Sequence, residues 1–435
     1  MDETDVVTCV LRHGGAVLLL RRSEDVGSYA GRWGAVAGHA EGDPDAAVRA
    51  EIREETRLDP AAVTPVRRGN PFAVTDEDLG TRWVVHPYLF DCPERAVGTN
   101  WETAEHVWVA PTAILHRETV PELWTSYDRV RPGVATVAGD REHGSAYLSV
   151  RALEVLRDEA GMRARAAATS DRDGATGLAA RTGDGWEALA EIATELREAR
   201  PSMPAVANRV NRVMAAASDS RTARAVEHAA AAGVGEALDA DERAAVHAAR
   251  RVADARVATL SRSGTVREAL SLAEPEAVLV AESRPGREGV DVAATLAGDT
   301  GADVTLATDA ALAHAIGEWG ADAVLVGADA VRPDGSVVNK AGTRAAALAG
   351  TYEGVEVLAV AASDKVAPDR RTDLEHRGPA EVDDGDADVT VYNPTFDVTP
   401  ADCLDAVVTE HGALDRDGVA TLAADHRSRA EWPAE

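Results

Sequence analysis

Residues 327–343 read GADAVRPDGSVVNKAGT and follow the apolar run AVLV at 323–326. That run is short, rich in β-branched residues and closed by Gly, Asp and Pro, so it reads as a buried strand running into a loop. The same unit recurs from residue 257 onward as VATL, AVLVAES, DVTLAT, VEVLAVA and VTVYN, with Ala-rich stretches of helical length between them. Strands alternating with helices predict an α/β fold with a parallel sheet covered by helices. Ligands of such sheets collect beyond the carboxyl ends of the strands. Lys340, within the quoted stretch, is one of only two lysines in 435 residues, the other being Lys365, against 45 Lys+Arg in all. In a chain that nearly lacks lysine, a survivor reads as doing what arginine cannot. A compact ammonium fits between a phosphate oxygen and a carboxylate where a planar guanidinium would not. Asp329 and Asp334 are its acidic neighbours in sequence.

Working outward, the length predicts two or three domains. Apolar residues make up 45% of the chain, enough for ordinary cores, and no apolar run reaches the length of a membrane span. The start of the sequence lacks the pattern of a secretory leader, and Cys9, Cys92 and Cys403 have no metal or redox spacing. Both features predict a cytoplasmic protein. The formal net charge is −29 and the acid is spread along the whole chain. With lysine nearly absent, this reads as adaptation to high salt, and it disfavours nucleic-acid partners because phosphates would be repelled.

In the first third, DVVTCVL (5–11) and AVLLLRR (16–22) predict paired strands around a His13-Gly14-Gly15 turn. Further strands are expected near 82–91 and 105–109. Residues 44–57 predict a helix that starts at Asp43 or Pro44. Glu51, Glu54 and Glu55 fall at i, i+3 and i+4 on one face of it. Three carboxylates there repel one another, so the face is either solvated or compensated by a hard cation such as Mg²⁺, which takes oxygen ligands and bridges phosphates. The tryptophans Trp83, Trp101, Trp108 and Trp124 read as core or pocket-wall residues. A second helix is expected at 145–159, a linker or insertion at 162–183, and mainly helix at 185–255.

The segment GHAEGDPDAAVRAEIREETRL (38–58), with Arg21-Arg22-Ser23 and Gly31-Arg32-Trp33 ahead of it, resembles the signature of Nudix hydrolases. This implies a Nudix α/β/α sandwich with a mixed sheet over residues 1–130, with Mg²⁺ or Mn²⁺ held at Glu51, Glu54 and Glu55. It also implies hydrolysis of a nucleoside-diphosphate-linked compound, with Glu54 and Glu55 as catalytic residues. The sequence departs from the signature at Ala50, where the family carries Arg, at Arg57, where it carries Gly, and at Asp43, where a Glu is expected.

The remainder resembles a second family. TLSRSGTV, ESRPGREG, TDAALAHAI, GADAVRPDGSVVNKAGT, ASDK and NPTFDVTP…VVTEHG occur in the order found in a superfamily with three branches. These are the regulatory subunits of translation initiation factor 2B, methylthioribose-1-phosphate isomerase and ribose-1,5-bisphosphate isomerase. ARPSMPAVAN (199–208) and HGSAYLSVRALEVL (143–156) match its helical part. The resemblance implies a helical subdomain at 131–255, a Rossmann-like sugar-phosphate-binding domain at 256–435, and homo-oligomers formed through this half. Asp329 takes the isomerases' catalytic Asp, and Asn339 and Lys340 their substrate-contacting pair. Gly144, Ser145, Arg200, Ser261, Ser263 and Arg284 line the phosphate and substrate sites. Ser261 stands where the isomerases carry the catalytic cysteine and His143 where they carry an Arg, which favours binding of a phosphorylated ribose over isomerisation. The expected whole is a Nudix-type hydrolase fused to a sugar-phosphate-binding domain; an aldose-1-phosphate isomerase and a non-catalytic translation-factor-like regulator are the alternatives.

Overall fold

A computed structural model describes residues 2–40, 42–172, 185–371, 373–385 and 388–432. The chain forms two compact units. One comprises residues 1–133, 154–189 and 220–235, the other residues 134–153, 190–219 and 236–435.

The first unit is built on strands β1 (Asp2–His13), β2 (Ala16–Arg22), β3 (Trp33–Gly34) and β4 (Val36–His39), helix α1 (Pro44–Thr56), strands β5 (Thr64–Arg68), β6 (Phe72–Asp76), β7 (Thr81–Asp91) and β8 (Thr103–Val109), and helix α2 (Leu123–Asp128). Gly14 and Gly15 both have positive φ and close the β1–β2 hairpin as a two-residue turn. β1 is longer than its apolar run because it pairs in parallel with β7 from Asp2 to Arg12. The mixed sheet runs β3-β2-β1-β7-β5, with β4 on β1, β6 on β7 and β8 on β2. Alternation along the strands fills both faces. Val7, Cys9, Leu11, Leu18 and Leu20 pack with Val48 and Ile52 of α1, while Val10, Val17 and Leu19 pack with Leu123 and Tyr127 of α2. Asp43 caps α1 by accepting from the N–H groups of Asp45 and Ala46, and Pro44 opens the helix.

Five helices follow: α3 (Val134–Gly139), α4 (Ser145–Arg172), α5 (Trp186–Ala199), α6 (Pro204–Ala217) and α7 (Ala223–Ala249). The stretch expected to be a linker, 162–183, is helical as far as Arg172. Its Ala and Arg residues are strong helix formers that need no apolar periodicity to extend α4. Residues 173–183 lie outside the described residues. Buried polar bonds join the 154–189 segment to its own unit: Tyr127 Oη donates to Asp158 at 2.7 Å and Arg157 Nη1 to the Gly15 carbonyl at 2.7 Å.

The second unit contains β9 (Arg256–Leu260), α8 (Gly264–Ala273), β10 (Ala277–Ala281), α9 (Glu288–Asp299), β11 (Asp303–Ala307), α10 (Asp309–Glu318), β12 (Ala323–Gly327), β13 (Ala330–Val331), β14 (Val337–Lys340), α11 (Thr343–Glu353), β15 (Glu356–Val360), β16 (Phe396–Thr399), β17 (Ala406–Thr409), β18 (Gly412–Leu414) and α12 (Arg416–Arg429). Its main sheet runs β11-β10-β9-β12-β15-β17-β18 and is parallel except for β18. β10 and β12 are buried along their whole length, which is why they read as unbroken apolar runs. A small antiparallel sheet, β13-β14-β16, carries the quoted stretch. The expected strand at VTVYN does not form. It lies in coil with Val389 61% and Tyr392 76% exposed, and among the described residues it has no neighbouring strand to form a ladder with; β16 and β17 follow it instead. Among the described residues no helix is long and apolar enough to cross a membrane.

Candidate functional site

In the first unit, Val48 and Ile52 dock α1 on the sheet and so fix where its three glutamates point. Glu55 turns inward and is 5% exposed, Glu51 is half-buried, and Glu54 is exposed on the cavity side. The Glu51 carboxylate lies over Gly38; a Cβ there would stand 1.7 Å from its Oε1, so only glycine admits it. Glu55 Oε1 accepts from the Ala37 N–H at 3.3 Å. Burial pushes the Glu55 carboxyl up to about 8, against the Ala37 bond and helped by Glu51 and Glu102. Burial, then Glu54 and Glu102, raise that of Glu51.

Glu51 and Glu54 open on a cavity of about 420 Å³ that is also lined by Arg22, Trp83, Trp101 and Glu102. Sequence reasoning missed Glu102 and Arg22 as site residues; their signals are the NWETAE segment and the basic pair after β2. Trp83 is a pocket wall as expected, but Trp101 stands on the rim at 66% exposure. Ala50 is exposed, and Arg49 is committed elsewhere, donating to the Pro60 carbonyl at 3.1 Å and lying over Phe90. Arg57 caps α1 in the left-handed region with φ 59°. Among the described residues no group of three or more His, Cys, Asp or Glu is placed to grip a metal ion as it stands. The donor set is nevertheless chemically suited to one: oxygen-only, crowded with like charge and short of compensating cations.

In the second unit, strand order reverses between β9 and β12, which leaves a crevice beyond their carboxyl ends. Ser261–Ser263 leave β9 and Asp329 leaves β12, so the two loops flank that crevice. Ser263 caps α8, accepting from the Val266 N–H at 3.3 Å. A Cβ on Gly327 would stand 2.7 Å from Ser263 Oγ and 3.8 Å from Asn339 Oδ1, so both line the glycine-floored end of β12. Asn339 is set by its bond to Thr343 Oγ1 at 2.9 Å.

Lys340 is 8% exposed and donates to Glu288 Oε1 at 2.6 Å. Arg377 Nη1 lies 4.0 Å from the same oxygen. Lys365 is also buried and donates to the Ala328 carbonyl at 2.8 Å. Burial raises the Asp329 carboxyl, and Lys365, Lys340 and Arg200 oppose the rise. The charges of both lysines of the chain and of Arg200 thus act on one aspartate. Sequence reasoning placed Lys365 in the ASDK motif without a site role; the rarity of lysine was the signal for it.

Ser261 sits at φ 64° and its N–H donates to Ser283 Oγ at 2.7 Å. Ser283, at φ 62°, is anchored on Asp309, so two strand ends hold left-handed non-glycine residues side by side. Arg200 is 4% exposed and donates to the Asp140 carbonyl at 2.6 Å, and Arg262 donates to the Glu142 carbonyl at 2.7 Å. These bonds tie the turn before Gly144 and Ser145 to the α5–α6 loop and to the end of β9. The Ser145 hydroxyl is buried at the start of α4 with no hydrogen-bond partner among the described residues. His143 stacks on Tyr147 and faces Asp140. Arg284 is exposed, and its backbone N–H rather than its guanidinium makes the contact to Asp309.

A family described as "Initiation factor 2 subunit family" matches residues 141–416, and a "NUDIX domain" matches residues 2–130. Methylthioribose-1-phosphate isomerase of Pseudomonas putida (strain GB-1) is 40% identical over 157 residues, covering 34% of this chain and 44% of that protein. The chain thus spans less than half the length of this curated relative. Among solved structures, the Pyrococcus horikoshii OT3 translation initiation factor eIF-2B superposes with a TM-score of 0.53 at 24% identity over 66% of this chain and 97% of its own. A chain of the tetrameric eIF2B-beta2-delta2 complex from C. thermophilum superposes with a TM-score of 0.51 at 20% identity over 70% of this chain and 95% of its own. These two likenesses concern the fold.

Proposed function

We propose, for a chain that belongs to the initiation factor 2 subunit family and carries a NUDIX domain ahead of it, a salt-adapted cytoplasmic protein of nucleotide and sugar-phosphate metabolism. Its second unit binds a phosphorylated ribose. The observation that carries this reading is the crevice at the reversal of strand order, where Ser263 and Asn339 line the end of β12 ahead of Asp329 and three buried cations, Lys340, Lys365 and Arg200, lend their charge to that aspartate. Cations of two geometries around one carboxylate suit a ligand with both phosphate and hydroxyl groups: the ammoniums and guanidinium take phosphate oxygens, and Asp329 takes a hydroxyl. Asn339, Ser263 and the Ser145 hydroxyl supply neutral bonds, and Gly144 leaves room at the helix start for close approach. Arg284 reaches the ligand only by swinging in from solvent.

The NUDIX domain hydrolyses a nucleoside-diphosphate-linked compound. Glu51, Glu54 and Glu55 would hold Mg²⁺ or Mn²⁺, which supplies polarisation of a phosphoryl oxygen and an acidified water. Glu54, facing the cavity, takes a proton from water there. Glu55, easily protonated, keeps or releases one according to the local charge. Arg22 offsets the negative charge of the diphosphate.

The isomerase reading keeps one observation in its favour: burial raises the Asp329 carboxyl above its ordinary value, the direction that acid catalysis asks of a carboxyl. Ser261 weakens it, because an unassisted hydroxyl is far less acidic than a thiol of pKa about 8.5. Self-association through the second unit is part of the proposal and follows the family.

Thermal shifts in concentrated KCl with ribose 1,5-bisphosphate, methylthioribose 1-phosphate, AMP and ADP-ribose test the binding half. A shift with one sugar phosphate that Lys340→Ala abolishes supports it; no shift with any of them overturns it. Mg²⁺-dependent breakdown of ADP-ribose, reduced about 100-fold or more by Glu54→Gln, tests the hydrolytic half. Formation of a ketose phosphate would favour the isomerase.

A further inference from the structure

The segment that follows Lys365 returns over the strand ends. It is closed at its base by the Thr395 N–H donating to the Glu375 carbonyl at 2.8 Å and the Arg377 N–H donating to the Asn393 carbonyl at 2.9 Å, with Leu374 packed against Ala330, Val338 and Phe396. Glu375 projects from this base at φ 42°, a left-handed conformation that a glutamate adopts only when its surroundings hold it. Its carboxylate accepts from the Ser202 hydroxyl and from Arg200 Nη2, the latter at 3.4 Å.

Arg200 and Ser202 are 4% and 5% exposed, so they form a built, buried anion seat. A single carboxylate oxygen, Glu375 Oε1, takes both contacts. A tetrahedral phosphate, with three terminal oxygens and a second negative charge, can meet each group with an oxygen of its own.

We propose that Glu375 is a stand-in for the phosphate of the ligand. Its carboxylate occupies the Arg200–Ser202 seat in the empty protein, and a sugar phosphate binds by displacing it through a side-chain swing while the anchored base stays in place. Ser202 is then a ligand-contacting residue. Glu375 sets a threshold that phosphate dianions pass and sugar carboxylates, which merely equal it in charge, do not. This rests on the ribose-phosphate reading of the second unit.

Isothermal titration of the full chain with ribose 5-phosphate and with gluconate tests it, using wild type, Glu375→Gln, Ser202→Ala and Arg200→Ala. If the carboxylate holds the seat about 90% of the time, its removal tightens apparent affinity about 10-fold. Glu375→Gln should therefore bind ribose 5-phosphate about 10-fold tighter and gain measurable gluconate binding. Arg200→Ala should lose at least 10-fold, and Ser202→Ala should weaken binding. Unchanged or weaker binding by Glu375→Gln, with Arg200→Ala still impaired, overturns the stand-in and leaves the binding reading intact. If neither wild type nor Glu375→Gln binds ribose 5-phosphate, ribose 1,5-bisphosphate or methylthioribose 1-phosphate, the binding reading falls and the stand-in with it. Should Glu375→Gln melt too early to titrate, Glu375→Asp, whose carboxylate is one methylene short of Ser202, carries the same expected gain and the same refutation.

Discussion

Replacing Lys340 by methionine keeps the buried stem and removes the ammonium. The side chains of Lys340 and Glu288 are 11% and 19% exposed, and their contact is 2.6 Å. Removing one partner of a buried pair costs about 3–5 kcal/mol, chiefly through the stranded charge. Here Arg377 remains 4.0 Å from the same Glu288 oxygen and can close on it. That compensation brings the expected loss to about 2 kcal/mol, or roughly 4–8 °C in the melting of a unit this size. Burial opposes ionisation of Glu288, yet the bond and charge of Lys340, with Arg377, hold its carboxyl below the usual range. A depressed carboxyl contributes stability above its unfolded value of 4.5, lost as pH falls through the folded value. The difference between wild type and Lys340→Met should be full at pH 7 and shrink as pH falls below 4.5. Lys340→Arg should recover most of the stability but not sugar-phosphate binding, because the guanidinium reaches Glu288 without fitting between it and a phosphate oxygen. Scanning calorimetry at several pH values, beside ligand titration, reads both effects. If Lys340→Met melts with wild type at pH 7, or if Lys340→Arg binds ligand normally, lysine was not retained at this position for its shape.

Glu55 should show the opposite pH dependence: a folded value raised from 4.5 to about 8 means stability that is present below 4.5 and lost as pH rises toward 8. With chelator present, Glu55→Gln should match wild type at pH 5 and exceed it by about 3–5 kcal/mol at pH 9, because each tenfold change in proton affinity is worth about 1.4 kcal/mol, with Mg²⁺ rescuing only wild type; parallel melting curves at both pH values would refute this. Arg57→Gly should gain about 1 kcal/mol by relieving the left-handed cap of α1, read as a rise of roughly 2–4 °C in the first unit. Ser261→Cys should retain the fold, since cysteine tolerates φ 64° no worse than serine. If the missing thiol is what limits turnover, it should also produce ketose from methylthioribose 1-phosphate; silence there would count against any isomerase ancestry of function in this chain.

The alternation of β-branched runs with Ala-rich stretches sufficed to predict a parallel sheet covered by helices, and its strand-end loops were legible as a ligand site. Period and composition are local quantities, and the chain carries them in order. Motif spacing likewise put Glu51, Glu54 and Glu55 on one face of α1. Burial along that face was not legible, because the docking of Val48 and Ile52 decides that Glu55 turns inward and Glu54 outward. VTVYN shows the same limit from the other side: a strand-like run stays in coil where none of the described strands pairs with it. Lysine rarity marked Lys340 and Lys365 in the sequence, 25 residues apart by number. Only the strand order, with β9 and β12 adjacent and β15 beside them, brings both to Asp329. Glu375, in an acidic stretch that looks like solvated surface, could not be told from its neighbours until the chain returned it to Arg200 and Ser202. Sequence encodes which residues can do chemistry; long-range packing, which depends on contacts between residues far apart in number, decides which of them meet.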